Sequence, residues 1–369
     1  MKSERKVLIG MSGGVDSSVA AYLLKEQGFE VNGFTLRMWS EEGKCCSRDA
    51  IEAAVEVSRK LGIPHSIIDV RKQFENEVVE YFLDEYRNGR TPNPCAVCNE
   101  RIRFGLFWDN FERFGADYLS TGHYAKITSQ IKSSILPGVP ESSKNQEYSL
   151  TKAADLRKSQ EYFLALIPKS RLSRLIFPLG DLMKSDVKKI ATDEKLPCIS
   201  RESQDICFIP DGDTQGFLKK HLGEKEGEIV DLEGNILGSH KGIWFHTVGQ
   251  RKGLGIAVGE PLFVVRLDPV SNRVIVGPRS ALCGTCFKIT RINRFTDMDL
   301  SSIRLSCKIR YATPQVPCRL ESDKVLLDRE LEAITPGQLA VIYHEERVVM
   351  AGTISCDMQQ NGNPSISPI

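Results

Sequence analysis

The chain has almost no charge excess: 49 Lys and Arg stand against 48 Asp and Glu, a net charge of +1. That excludes a whole-surface polycation holding nucleic acid by bulk attraction, so any anionic partner must be met by a local patch. It also lacks a long apolar run. No stretch reaches the ~18 residues of a membrane span, and Met1-Lys2-Ser3-Glu4-Arg5-Lys6 leads straight into Val7-Leu8-Ile9 without a secretory h-region. The expectation is a cytoplasmic protein with no membrane partner. Cysteine is too sparse for a disulfide scaffold, at 11 in 369 residues. In a reducing compartment such residues are buried thiols, metal ligands or catalytic groups. What the chain does have, 41% apolar and 26% charged residues, is enough for a sizeable core and for two or three domains.

From Lys6 to about Tyr124 short apolar runs alternate with amphipathic segments. Val7-Leu8-Ile9-Gly10 reads as a strand and Ser17 to Lys25 as a helix with Gly28 beyond its end. Val31 to Met38 is strand-like; Ser47 caps a helix running to Leu61, with Gly62 as its stop, before the strand Ser66 to Val70. Helices over about Phe74–Arg87 and Arg101–Phe114 precede the strand Tyr118-Leu119-Ser120. This rhythm implies an α/β domain with a parallel sheet covered on both faces. The stretch Ser129 to Asn145 is rich in Ser, Lys and Pro and reads as a surface loop. Helical signals return at Ser159-Gln160-Glu161 and over Lys184–Lys195. After Ser203, glycines punctuate short strand candidates such as Ile243-Trp244-Phe245-His246 and Phe263-Val264-Val265, which favours a small β-rich domain. Further strand candidates, including Ser306–Tyr311, Lys324–Leu327 and Ala340–Tyr343, predict a closed C-terminal β-barrel. The domains are drawn at 1–205, 206–278 and 279–369.

The strongest local signal is Ser12-Gly13-Gly14-Val15-Asp16-Ser17-Ser18, after a strand and opening a helix. Paired glycines let backbone approach a phosphate, and a helix N-terminus supplies N–H groups and partial positive charge. The Gly-Lys-Ser/Thr ending of a Walker A loop is missing, so no lysine is expected to reach the terminal phosphates. Asp16 offers an oxygen to Mg²⁺. The heptad resembles the pyrophosphate (PP) loop of the ATP-pyrophosphatase superfamily, which cleaves ATP between the α- and β-phosphates and adenylates a substrate oxygen.

In Arg90-Thr91-Pro92-Asn93-Pro94-Cys95-Ala96-Val97-Cys98-Asn99, two prolines hold two thiols at the start of the following helix. A cysteine there gains thiolate character. Ser203-Gln204-Asp205-Ile206-Cys207-Phe208-Ile209 supplies another thiol where the α/β region ends. Separated cysteines suit sulfur transfer by thiol–disulfide exchange, and they equally suit buried inert packing. Gly10 to Ser18, Cys45-Cys46-Ser47, Arg90 to Asn99, Thr121 to Tyr124, Ser203 to Ile209, His246 to Gly255, Arg310-Tyr311 and Thr335-Pro336-Gly337-Gln338 occur in one order along nearly the whole chain. In that order they resemble the bacterial tRNA-uridine 2-sulfurtransferases.

The resemblance implies an N-terminal PP-loop domain like the adenine nucleotide alpha hydrolases, and ATP-dependent thiolation of C2 of the wobble uridine in tRNAs for Lys, Glu and Gln. It implies ATP contacts at Gly10, Met11, Ser12, Gly13, Gly14, Val15, Asp16, Ser17, Leu36 and Gly122. Cys98 would be the nucleophile and Cys207 the persulfide carrier, supplied by a cysteine desulfurase or a relay protein. Asn93, Pro94 and Cys95 would contact the target base, and His123, Lys158, Ser159, Gln160, Arg310, Tyr311 and Gln338 the tRNA. Cys95 stands where many members carry Asp, so Cys95, Cys98 and Cys207 also form a candidate ligand set for an iron–sulfur cluster. Lys158-Ser159-Gln160-Glu161-Tyr162 departs from the usual Asp-Gln-Ser-Tyr. Competing readings are an amide-forming adenylating enzyme of the same superfamily, which has no use for two thiols, and a non-catalytic RNA-binding protein, which has no use for Asp16. Between Arg279 and Arg319, eight Lys or Arg face two acids, an excess of 8 − 2 = +6, and this run is the candidate basic patch for RNA phosphates.

Overall fold

The computed structural model describes residues 5–39, 47–110, 114–131, 146–199, 206–256 and 259–355. The N-terminal sheet is parallel throughout, in the order β3-β2-β1-β4-β7: β1 is Lys6–Gly10, β2 Glu30–Arg37, β3 His65–Asp69, β4 Tyr118–Thr121 and β7 Leu175–Ile176. Alternation along β1 divides the core. Val7 and Ile9 pack with Val19, Ala20 and Leu24 of α1 (Val15–Glu26), whereas Leu8 on the other face joins Phe34, Phe74 and Phe82. Helices therefore cover both faces, as expected for a parallel sheet. Helix α2, Arg48–Leu61, begins and ends on its predicted signals: Ser47 Oγ accepts from Ala50 N at 3.3 Å, and Gly62 adopts φ +64°. Helix α3 (Glu80–Arg87) leads to the cysteine segment, and α4 (Pro94–Val97) passes directly into a wide-turn π-type helix over Cys98–Leu106.

Part of the expected surface loop is strand. β5 (Lys126–Ile131) takes in Ser129 and pairs with β6 (Gln146–Thr151); residues 132–145 lie outside the described residues. This hairpin leaves the α/β domain and joins the C-terminal sheet, Thr151 lying opposite Arg347. After α5 (Lys184–Asp193) and α6 (Thr214–Leu222), a central sheet runs β10-β11-β8-β9 from Gly227–Val230 (β8), Ile236–His240 (β9), Phe263–Asp268 (β10) and Arg273–Gly277 (β11). Ile243–Phe245, expected as strand, is a 3₁₀ turn. Gly242 at φ +150° brings the Trp244 ring against its own backbone, and Trp244 Nε1 donates to Gly223 O at 3.2 Å, so the bulky run is spent on a corner.

The C-terminal barrel closes with six strands in the order β12-β15-β14-β13-β16-β17, β12 pairing back to β17. They are Cys283–Arg294 (β12), Leu305–Lys308 (β13), Val316–Glu321 (β14), Lys324–Glu332 (β15), Leu339–His344 (β16) and Arg347–Ile354 (β17). Closure removes their edges, the solution the strand pattern implied. The barrel's Tyr343 hydroxyl donates to buried Glu161 of the α/β domain at 2.9 Å, and Asn293 Nδ2 donates to Ala165 O and Ile167 O at 3.0 and 2.8 Å. Among the described residues, no helix is long and apolar enough to cross a membrane.

Candidate active site

Between the carboxyl ends of the parallel strands and the cysteine segment lies a cavity of about 1670 Å³, lined at one end by Gly10 to Ser17 and at the other by Pro94, Cys95, Cys98, His123, Cys207 and Tyr311. The phosphate loop is stiff. Ser12 N donates to Ser17 Oγ at 3.1 Å, Ser18 Oγ donates to Gly14 O at 2.9 Å, and Ile199 N donates to Gly13 O at 2.9 Å. α1 starts at Gly14 without a side-chain cap, which leaves its first N–H groups to the cavity. Two glycines are obligatory. A Cβ at Gly13, which sits at φ +75°, would fall 2.1 Å from Ala50 O, and one at Gly122 would fall 2.6 Å from Ser17 N. Leu36 and Gly122 both line the cavity, beside Phe34, Met38 and Trp39.

The loop carries no lysine of its own, but the fold brings one beside it. Lys184 Nζ, at the start of α5, lies 2.6 and 2.8 Å from the two oxygens of Asp16, whose Oδ1 also accepts from Tyr124 OH at 2.8 Å. A motif search looks for the lysine inside the loop, whereas here the tertiary fold delivers it from 168 residues away. Asp16 is thus paired rather than bare. It remains the one carboxylate of the phosphate loop, suited to a Mg²⁺ whose other ligands are phosphate and water oxygens.

At the other end, Asn93 Oδ1 accepts from Ala96 N at 3.1 Å, capping α4 with Pro94 at its first turn. Three residues apart on one helical face, Cys95 is exposed to the cavity and Cys98 is buried in its wall. Cys207 is held by its neighbour Phe208, whose ring lies 5.3–6.2 Å from Trp39, Phe74, Phe82 and Phe217. Cys95 is surface-accessible yet desolvated, since its open side is the crevice and not bulk water. Burial pushes its thiol up to about 11; the neighbouring Cys207 adds to the rise and the Arg103 guanidinium opposes it. Among the described residues no three His, Cys, Asp or Glu side chains converge as a metal site. The cysteines are not assembled as a cluster-binding triad here, and an iron–sulfur cluster is not supported. Cys45, Cys46 and Asp205 lie outside the described residues.

The residues nominated for RNA divide. Lys158, Gln160 and Tyr311 line the cavity, and the Tyr311 ring lies 4.6 Å from that of Phe163. Ser159 is buried, its hydroxyl donating to Glu161 Oε2 at 2.5 Å and accepting from Ala153 N at 2.8 Å. His123 bonds Thr121 Oγ1 at 2.7 Å; burial, with Arg103 nearby, lowers it to about 3, so it is a neutral imidazole. Arg310 donates to Ala333 O at 3.0 Å and to Thr335 Oγ1, and Gln338 Nε2 donates to Thr91 O and Pro92 O at 2.9 and 3.2 Å. Part of the predicted basic run is likewise committed within the protein. Arg279 pairs with Glu332 at 2.9 Å, Arg291 with Glu100 at 2.8 Å, and half-buried Lys308 sits 5.2 Å from the Tyr311 ring centroid. Arg103, a cavity-lining cation whose charge acts on both Cys95 and His123, was missed because nothing local distinguishes it from a surface helix arginine.

Fold and site together define an α/β protein of the HUP class carrying two β domains. Family models match in that order: the tRNA methyl transferase HUP domain over residues 5–211, the tRNA methyl transferase PRC-barrel domain over 215–278 and the aminomethyltransferase beta-barrel domain over 285–354. Relatives over nearly the whole length narrow this. The tRNA-specific 2-thiouridylase MnmA of Clostridioides difficile strain 630 is 39% identical, covering 96% of this chain and 99% of its own. The tRNA-specific 2-thiouridylase MnmA 1 of Caldanaerobacter subterraneus subsp. tengcongensis is 41% identical over the same shares, and that of Clostridium botulinum strain Okra is 40% identical over 95% and 99%. The chain belongs to the tRNA-specific 2-thiouridylase family.

Proposed function

We propose that this protein is a cytoplasmic tRNA-uridine 2-sulfurtransferase acting on the wobble uridine of tRNAs for Lys, Glu and Gln. The observation that carries the reading is one cavity with a phosphate loop at one end and three thiols at the other, in a chain about 40% identical to named 2-thiouridylases. ATP enters with its phosphates on the α1 N-terminus, where Lys184 meets the charge and Asp16 is the residue to hold Mg²⁺. The uridine, unstacked into the cavity, is bounded by Asn93, Pro94 and Cys95. Its O2 attacks the α-phosphorus and pyrophosphate leaves. The terminal sulfur of a Cys207 persulfide then attacks C2, and AMP departs with the O2 electron pair. Cys98 thiolate attacks the Cys207 sulfur, forming a disulfide and releasing 2-thiouridine; an external dithiol reduces that disulfide, and a cysteine desulfurase or relay protein reloads Cys207.

The test is incubation with unmodified tRNA, ATP, Mg²⁺, cysteine and a cysteine desulfurase, followed by nucleoside analysis. The expected result is 2-thiouridine with stoichiometric AMP. Cys98→Ala and Cys207→Ala should each abolish the product while tRNA binding persists. Near-normal thiolation by either variant assigns the chemistry to other residues.

A further inference from the structure

The motif Thr335-Pro336-Gly337-Gln338 belongs to the barrel, yet the Gln338 side chain and Pro336 O reach into the α/β domain. Gln338 Nε2 donates to Thr91 O and Pro92 O at 2.9 and 3.2 Å, and Thr91 N donates back to Pro336 O at 2.9 Å. The next residue continues the contact: Leu339 O accepts from Tyr162 OH at 2.6 Å. Gly337, at φ +88°, lets the two backbones meet, since a Cβ there would fall 2.9 Å from Arg90 Cβ and 3.0 Å from Thr91 N and O.

The turn is itself braced. Arg310 bonds Ala333 O and Thr335 Oγ1, Thr335 Oγ1 donates to Ala333 O at 2.8 Å, and Gly337 N donates to Ile354 O at 2.9 Å. From the central domain, Gly249 is set so close that a Cβ on it would lie 2.8 Å from Ala333 Cβ. The cysteine segment needs such an external hold. Pro92 and Pro94 carry no N–H, and on its own domain the segment is held by Arg90 N to Glu85 O at 2.8 Å and by Val97 N to Asn93 O at 3.4 Å.

The geometry points to Gln338 and Arg310 as positioning residues: the barrel turn 333–338 sets the backbone of the Arg90–Asn93 segment, and through it the place of Cys95 and Cys98 in the cavity. The inference rests on the thiolation reading for its activity measurement only. Gln338→Glu and Gln338→Met keep the side-chain length and remove the donor. In each full-length variant, single-turnover thiolation at saturating tRNA should fall on the order of 10²-fold with tRNA affinity unchanged. The Cys95 alkylation rate, followed by timed iodoacetamide labelling and peptide mass spectrometry without ligands, should shift several-fold. Cys307 and Cys318, buried in the barrel, stay protected and report that the barrel is folded. Wild-type labelling of Cys95 in both variants overturns the inference, as does weakened tRNA binding with an unaltered rate at saturation. If the wild-type protein forms no 2-thiouridine, the proposed function fails, and the labelling comparison still decides the positioning role.

Discussion

Single residues in this protein take their meaning from partners far away in the chain. Asp16 reads as a lone carboxylate in its heptad, and in the fold it is paired to Lys184 and Tyr124. Lys184 is only 12% exposed in its side chain, so the pair is not a solvent-screened surface bridge. Its ammonium lies at the loop proposed to take the ATP phosphates. Lys184→Met should lower ATP-dependent AMP release on the order of 10²-fold, the usual loss for one charge-stabilising donor, with tRNA binding intact. Unchanged AMP release would assign Lys184 to Asp16 alone. Ser159, Arg310 and Gln338 make the complementary point. Their types suit RNA contacts, and in the fold Ser159 Oγ, Arg310 Nη2 and Gln338 Nε2 also donate inside the protein.

At the scale of elements, local signals were reliable wherever the backbone itself demanded a residue. Ser47 and Gly62 bound α2 as their chemistry dictates, and the strand–loop–helix of the phosphate site stands where the glycines put it. The 3₁₀ corner at Ile243–Phe245 was not legible, because an apolar run of three fits a corner as well as a strand. Gly122 is an element-level requirement that the sequence showed only as a motif. It allows the end of β4 to touch the first turn of α1, where a Cβ would lie 2.6 Å from Ser17 N and 2.7 Å from Asp16 C. Gly122→Ala should therefore displace the loop and abolish AMP formation while the two β domains remain folded. A nucleotide-binding titration beside an unfolding curve separates these effects, and retained ATP affinity would show that the loop tolerates the intrusion.

The whole molecule is held together by polar struts as well as by its shared apolar core. Glu161 is 2% exposed, and its oxygens are satisfied by Ser159 within its own domain and by Tyr343 from the barrel. Burial and the adjacent carboxylate raise the Tyr343 phenol well above its usual range, so it stays a donor at physiological pH. Tyr343→Phe deprives a buried carboxylate oxygen of its partner, and a loss of about 1–3 kcal/mol is expected in urea unfolding. A change near zero would mean that water replaces the phenol. The +1 net charge also acquires a spatial meaning at this scale. Within the cationic run from Arg279 to Arg319, Arg279 and Arg310 bond inside the C-terminal domain and Arg291 reaches Glu100 of the α/β domain, so these three already have partners in the protein.

The sequence by itself determined the parallel α/β domain, the strand–loop–helix of the phosphate site and the barrel strands, because periodicity, glycine conformations and caps are local properties of a chain. Only the tertiary structure decided that Lys184 meets Asp16 at the phosphate loop, that Cys95, Cys98 and Cys207 line one cavity, and that the barrel turn braces the cysteine segment. Those are meetings of side chains separated by scores of residues, and a hydrogen-bond donor acquires its acceptor only when the chain has closed around both.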